Sequence, residues 1–181
     1  MLAAHLGQDV FLKGVGDYLR THAFGNATTN DLWSAVGKAS GQDIRALIDP
    51  WILRIGFPVL TVGEEPGQIG IKQNRYLSTG DVNSEDDSTT WWVPLRLEGK
   101  VGSKDITPLE LTKREDIVRD VDDSFYKINK DTTGFYRTNY PPARLATLGG
   151  QIERLSLSDK IGQSNLLFQL EILLTLSRTC R

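Results

Sequence analysis

The sequence predicts an α+β chain: helices at the N-terminal end, a central antiparallel β-sandwich, and helices again at the C-terminal end. Three observations predict it. Apolar residues recur at helical spacing from Gln8 to about Gly56. After Phe57 the pattern breaks into short β-branched and aromatic runs separated by Gly, Asp, Asn and Ser. From Pro141 the helical spacing returns. The implied boundaries are 1–56, 57–140 and 141–181.

Between Gln8 and His22, Val10, Phe11, Val15, Tyr18 and Leu19 form the stripe of an amphipathic helix. Gly14 and Gly16 weaken its intrinsic propensity, so packing must hold it. In NATTNDLWSAVGKASG, Thr28 with Asp31 three residues on makes a capping-box-like start. Leu32, Trp33 and Val36 supply the buried face, and Gly41 is a natural stop. A third helix is expected from about Asp43 through Trp51, with Pro50 inside it or at a break, stopping at Gly56; Pro58 forbids continuation.

The strand candidates are VLTVG, QIGIKQNRYL, TTWWVPLRLEG, DITPLEL, SFYKINK and GFYRTNY. In WVPLRL, Val93, Leu95 and Leu97 alternate with Pro94 and Arg96, which points one face inward and the other to water. STGDVNSEDDSTT is polar, acidic and apolar-poor, and reads as a solvated loop. Pro142 suits the first turn of a helix carrying Leu145 and Leu148, and Ser158 is an expected N-cap before Asp159 for a second one.

Composition narrows the function. At 181 residues, with 39% hydrophobic and 24% charged residues, the chain is ordinary globular material for one or two domains. Its 21 Lys and Arg are dispersed among 23 Asp and Glu, so no basic field for nucleic acid exists and no nucleic-acid partner is expected. The start MLAAHLGQDVFLK is not the pattern of a signal peptide, and NLLFQLEILLTL is about half the roughly 20 residues a membrane crossing needs. No membrane partner is expected, and the lone Cys180 fits a reducing, cytoplasmic setting.

The inventory of chemical groups supplies no catalytic, cofactor-binding or metal site. A zinc centre needs about three protein ligands, and this chain has two histidines, His5 and His22, without an H-E-x-x-H pairing. Both are expected at the surface or at helix ends. There is no G-x-S-x-G elbow, and Cys180 sits one residue from the last position. GKASGQD lacks the P-loop Lys-Ser/Thr, and no G-x-G-x-x-G follows a strand. Trp33, Trp51, Trp91 and Trp92 are expected as packing groups. Arg137, between two tyrosines in GFYRTNY, is expected in a charge-assisted bond across the sheet or to a neighbouring domain.

The order of short motifs nevertheless resembles one family. FLKGVGDYLRTHAFGNATTNDLWSAVGKASGQDIRALIDPWILRIGFPVLTV, then QNRYL, STG, WWVPL, NKDTTGFYRTNY and LSLSDKIG are similar to the downstream part of zinc aminopeptidases of the aminopeptidase N and puromycin-sensitive type. That family reads F-x-x-G-[VL]-x-x-Y-L-x-x-H, then N-A-x-x-x-D-L-W, then W-x-x-x-x-G-[FY]-P-[VL]. Cytosolic fungal-like members of the puromycin-sensitive group look most similar.

The resemblance implies that 1–56 is the helical end of a catalytic domain, 57–140 a β-sandwich domain and 141–181 the start of a C-terminal helical domain. The zinc motif, the G-x-M-E-N motif and the Y-x-K-G tyrosine of the family would all precede Met1, and no residue here matches them. Zinc and the peptide substrate therefore belong to the complete enzyme, which removes N-terminal amino acids, and this chain alone is expected to be inactive. The opening Met-Leu pair looks like one that lies just after the family tyrosine, which implies a start site placed too late. After SDKIG the tail from Gln163 departs from the family, as a retained intron, a frame change or divergence would make it do. An alternative expectation is a stand-alone interaction module that binds a partner, such as a full-length aminopeptidase; self-association through uncovered apolar helix faces is also expected.

Overall fold

The computed structural model describes residues 1–79, 87–101 and 110–162. Most of the acidic loop, the first part of the strand expected at DITPLEL and the apolar tail from Gln163 lie outside the described residues.

The N-terminal part is four helices: α1 (Leu2–Leu6), α2 (Gln8–Thr21), α3 (Thr29–Ser40) and α4 (Ile44–Leu53). The cap of α3 forms as its sequence predicts. Thr28 Oγ1 accepts from Asp31 N–H at 3.3 Å and Asp31 Oδ2 accepts from Thr28 N–H at 2.8 Å, while Gly41 closes the other end in the left-handed region at φ 71°. Gly14 does more than lower propensity. A Cβ on it would stand 2.7 Å from Val36 Cα, so its absence is what lets α2 lie close against α3. Asp43 caps α4 by accepting from Ala46 N–H at 3.1 Å, and Pro50 is accommodated inside the helix. The helix ends at Leu53, three residues short of the expected stop, because Arg54 is already extended.

The α+β class holds, with a mixed rather than wholly antiparallel sheet. β1 (Phe57–Glu65) and β2 (Gln68–Tyr76) form a hairpin running from Phe57 opposite Tyr76 to Glu65 opposite Gln68. β6 (Glu115–Arg119) adds antiparallel to β2, and β8 (Arg137–Asn139) adds parallel to β1, giving the order β6-β2-β1-β8. Two short antiparallel pairs complete the β region: β3 (Val93–Pro94) with β5 (Glu110–Leu111), and β4 (Glu98–Val101) with β7 (Val121–Lys127). Leu60, Val62, Ile69 and Ile71 from the larger sheet share one core with Val93, Leu111, Phe125 and Tyr126 from the smaller pairs.

Two expectations about this region need correction. Pro94 is buried instead of facing water, because residues 91–95 are all taken into the interior. Arg96 is likewise tied down: its NH1 donates to Ala4 O at 2.8 Å and its NH2 lies 3.6 Å from Asp131.

After β8, Pro142 opens α5 (Pro142–Gly150), which buries Leu145 and Leu148 as expected. A further helical segment, α6, covers 157–162. Its cap is Ser156, not Ser158: Ser156 Oγ accepts from Asp159 N–H at 3.2 Å and donates to the Asp159 carboxylate at 3.0 Å. Two hydrophobic clusters result, one centred on the β region and the other built from Leu2, Val36, Ile44, Ile48 and Trp92. Trp51 packs against both.

Candidate functional site

The densest set of directed side chains lies where α4 meets residues 90–92. The last carbonyls of a helix have no partner within it and take their donors from elsewhere. Trp91 supplies one, its indole Nε1 donating to Pro50 O at 3.0 Å. Trp51 returns the contact, donating from Nε1 to Trp92 O at 3.0 Å, and Arg54 NH1 donates to Thr90 O at 2.5 Å. The two indole–carbonyl bonds run in opposite directions, which fixes both spacing and rotation of α4 against residues 91 and 92.

Trp92 extends the set. Its Nε1 donates to Glu110 Oε2 at 2.8 Å, and Glu110 Oε1 lies 3.4 Å from His5 Nε2, which is also 3.3 Å from Gln42 Oε1. The His5 ring stands edge-on to Trp92 with centroids 4.7 Å apart. Its side chain is only 4% exposed, and it stands in the last turn of α1, so of the two expected settings, surface or helix end, His5 takes the helix end. Behind the tryptophans, Gln73 is fully buried with both ends of its amide used: Trp91 N–H donates to Oε1 at 2.9 Å, and Nε2 donates to Trp91 O and Lys113 O at 3.0 and 2.7 Å.

A second set joins the β region to α6. Lys127 Nζ lies 2.7 Å from Asp159 Oδ1, with side chains 5% and 0% exposed. Asp159 also accepts from Asp131 N–H at 3.1 Å, Thr132 Oγ1 at 3.0 Å and Ser156 Oγ at 3.0 Å. Burial by itself would raise the Asp159 pKa, but the Lys127 hydrogen bond and charge, with the Asp131 and Ser156 bonds, hold it below the ordinary carboxylate value. The segment that wraps this carboxylate holds Asn129, Asp131 and Thr132 at φ of 66°, 59° and 51°, a left-handed run that non-glycine residues enter only when surroundings impose it.

A third set ties α5 to the sheets. Arg144 Nε donates to Glu64 Oε1 at 2.6 Å, its NH2 donates to Asp123 O at 3.0 Å, and its guanidinium lies 4.1 Å from the Tyr126 ring centroid. Tyr126 donates its hydroxyl to the same Glu64 oxygen. Burial, then that hydrogen bond, push the Tyr126 pKa far above its ordinary value, so it remains a protonated donor.

Among the described residues no group of three or more His, Cys, Asp or Glu comes together to hold a metal. His5 has the Glu110 carboxylate beside it and, among the described residues, no cluster of further ligands. His22 stands at the C-terminal end of α2 against Tyr18, centroids 5.4 Å apart, in a different environment from His5. The described residues therefore do not fit a zinc centre. Cys180 lies outside the described residues. Arg137 lies over Phe57 and Tyr76 at 5.4 and 5.8 Å, an aromatic stack that its place between two tyrosines in sequence did not specify.

Sequence reasoning missed Gln73, Glu110, Lys127, Arg144 and Asp159. For Gln73 a signal was present: it holds the inward place of the alternation Ile69, Ile71, Gln73, where a polar residue must be bonded. The tryptophans do pack, as expected, but Trp51, Trp91 and Trp92 also donate a directed hydrogen bond each. No helix among the described residues is long and apolar enough to cross a membrane.

Known proteins carry similar sequences. Residues 1–51 match the model of the peptidase family M1 domain. "Aminopeptidase 2" of Candida albicans is 44% identical over 165 residues, covering 90% of this chain and 18% of that protein. "Aminopeptidase 2, mitochondrial" and "Alanine/arginine aminopeptidase" of Saccharomyces cerevisiae are each 40% identical, over 163 and 162 residues, again covering 90% of this chain and 17% and 19% of those proteins. The chain thus spans about a fifth of the length of the curated relatives it matches. In sequence and in the order of its motifs it belongs to the peptidase M1 family of aminopeptidases.

Proposed function

We propose that this chain is a non-catalytic portion of a zinc-dependent aminopeptidase, and that it serves as the joint between the catalytic domain and a C-terminal helical domain. Residues 1–56 are the helical end of the catalytic domain, 57–140 a β-sandwich spacer, and 141–181 the beginning of the helical domain. The observation that carries the proposal is the Trp51–Trp91 exchange, in which each indole donates to a backbone carbonyl beside the other. Such a contact fixes the angle between two bodies and contributes nothing to bond cleavage.

M1 aminopeptidases are zinc enzymes that act on peptides. In this reading the zinc, its activated water and the peptide belong to the complete enzyme, and the chain alone is inactive. A cytoplasmic location is part of the same reading; recovery of the tagged protein inside mitochondria would overturn it. The direct test is purified protein assayed for bound zinc and for hydrolysis of aminoacyl chromogenic substrates. Neither is expected.

A stand-alone interaction module is the second reading. Exposed Leu12, Leu19 and Phe24 on and after α2 favour it, since they form apolar surface that a partner or a second copy would cover. A clean monomer by light scattering that captures a full-length M1 aminopeptidase would support the module over the joint.

A further inference from the structure

β6 is the outer strand of the four-stranded sheet: among the described residues it pairs with β2 on one side and with no strand on the other. The ladder defines its open edge. Gln73 N–H donates to Arg114 O at 2.8 Å, and the antiparallel register continues with Ile71 opposite Asp116 and Ile69 opposite Val118. Backbone groups in such a ladder alternate between its two sides, so those of Glu115, Ile117 and Arg119 point away from β2. Ile117 N–H agrees, donating to the Asp116 carboxylate at 2.8 Å instead of to β2. An outer strand with such a row of outward backbone groups is a template for another strand.

The side chains along this edge match themselves. Glu115, Ile117 and Arg119 alternate with buried Val118, so they share the outer face of the sheet, and all three are exposed. An antiparallel copy of EDIVR centred on Ile117 sets Ile117 opposite Ile117, Glu115 opposite Arg119 and Arg119 opposite Glu115. A parallel copy in register would set acid against acid and base against base. The Arg119 guanidinium has no ion-pair partner among the described residues. Glu115 is approached from the β2 side by Lys72, whose Nζ lies 3.8 Å from Oε2 with both side chains exposed, so the carboxylate keeps that contact and meets the second copy from the open side.

We propose that β6 is a self-association edge, onto which a second copy of this chain adds antiparallel about a twofold axis at Ile117. Glu115, Ile117 and Arg119 then each exchange both backbone bonds with the residue opposite, and the four-stranded sheet continues into that of the second copy. The Glu115–Arg119 cross-strand pair, made twice by the symmetry, sets the register. One such contact uses the β6 edge of both copies, so assembly through it stops at the dimer. The surface is separate from exposed Leu12, Leu19 and Phe24 on and after α2. Asp116 opposes the pairing, because its carboxylate holds the central donor, Ile117 N–H, in the single chain and must release it.

The test is sedimentation velocity of the full chain carrying Cys180→Ser, over a concentration series, where a reversible monomer–dimer equilibrium is expected. Arg119→Glu and Glu115→Lys should each raise the dissociation constant by about tenfold or more, since each sets like charges opposite one another at both pairs. An equimolar mixture of the two variants restores opposite charges and should regain the wild-type constant. Asp116→Ala should lower it, and added salt should raise it for the unmodified edge. In the same background Ile117→Cys, with Cα atoms about 5.5 Å apart across the twofold, should form a disulfide dimer under mild oxidation well before Leu157→Cys, although Leu157 is the more exposed, 75% against 48%. A chain that stays monomeric, an association that neither charge change moves, or a mixture that does not regain the wild-type constant would overturn the proposal. Equal crosslinking at 117 and 157 would do so even if a charge variant failed to fold. None of these outcomes turns on whether the chain hydrolyses peptides.

Discussion

Replacing Asp159 by Ala should be among the most damaging single changes in the chain. The substitution removes a fully buried carboxylate that accepts from Lys127, Asp131, Thr132 and Ser156. Lys127, 5% exposed, then keeps its carbonyl partners, Ile128 O at 3.3 Å and Asn129 O at 2.7 Å, but loses its counter-charge. Breaking a buried pair from one side typically costs about 3–5 kcal/mol, because the surviving charge stays out of water. In a domain of this size each kcal/mol lowers Tm by about 2–4 °C, so the expected fall is roughly 6–20 °C. Circular dichroism melts of wild type, Asp159→Ala and the double variant Asp159→Leu/Lys127→Met would measure it. The double variant should recover much of the loss, since an apolar pair leaves no orphan charge. A single variant within about 1 kcal/mol of wild type, or a double variant worse than the single, would refute the reasoning.

The same geometry sets further outcomes. The Asp159 pKa is held below its usual 3.8, so its contribution is complete above that value and is lost as pH falls through the lower folded one; Asp159→Asn should flatten the acid limb of stability against pH. Gly14→Ala should destabilise despite better helix propensity, because the new Cβ meets Val36 Cα at 2.7 Å, whereas Gly16→Ala meets only the Arg20 guanidinium at 3.4 Å and should gain up to about 1 kcal/mol; equilibrium urea unfolding separates the two. Trp51→Phe keeps a ring between the two clusters but leaves Trp92 O without its donor, and should cost roughly 1–3 kcal/mol in the same assay. A loss under about 0.5 kcal/mol would remove Trp51 from the joint.

The parts of the fold legible in the sequence are those set by neighbours along the chain. The Thr28–Asp31 box, the Gly41 stop and Pro142 at the start of α5 are local, and each forms where expected. The β1–β2 hairpin is legible for the same reason. What escaped depends on partners far away in sequence. β6 reads EDIVR, a charged stretch that becomes a strand only by pairing with β2 at the sheet edge. α1 has five residues and no side-chain cap, so nothing local announces it. His5 is buried because Trp92 and Glu110 come to it from the β region. Ser156 outranks Ser158 as a cap because Asp159, drawn in by Lys127, sets where α6 begins. The β1–β8 pair is parallel because the connection between them crosses the whole β region, and no hydrophobic period records that direction.

The central claim is that this M1-family chain is a structural joint without chemistry of its own. The measurement that tests it most directly is hydrolysis of a panel of aminoacyl chromogenic substrates, read across successive column fractions with zinc supplied. The account predicts rates equal to the buffer blank in every fraction that contains the chain. Activity that co-elutes with the protein and disappears in His5→Gln or Glu110→Gln would contradict it and would make the His5–Glu110 pair a catalytic group.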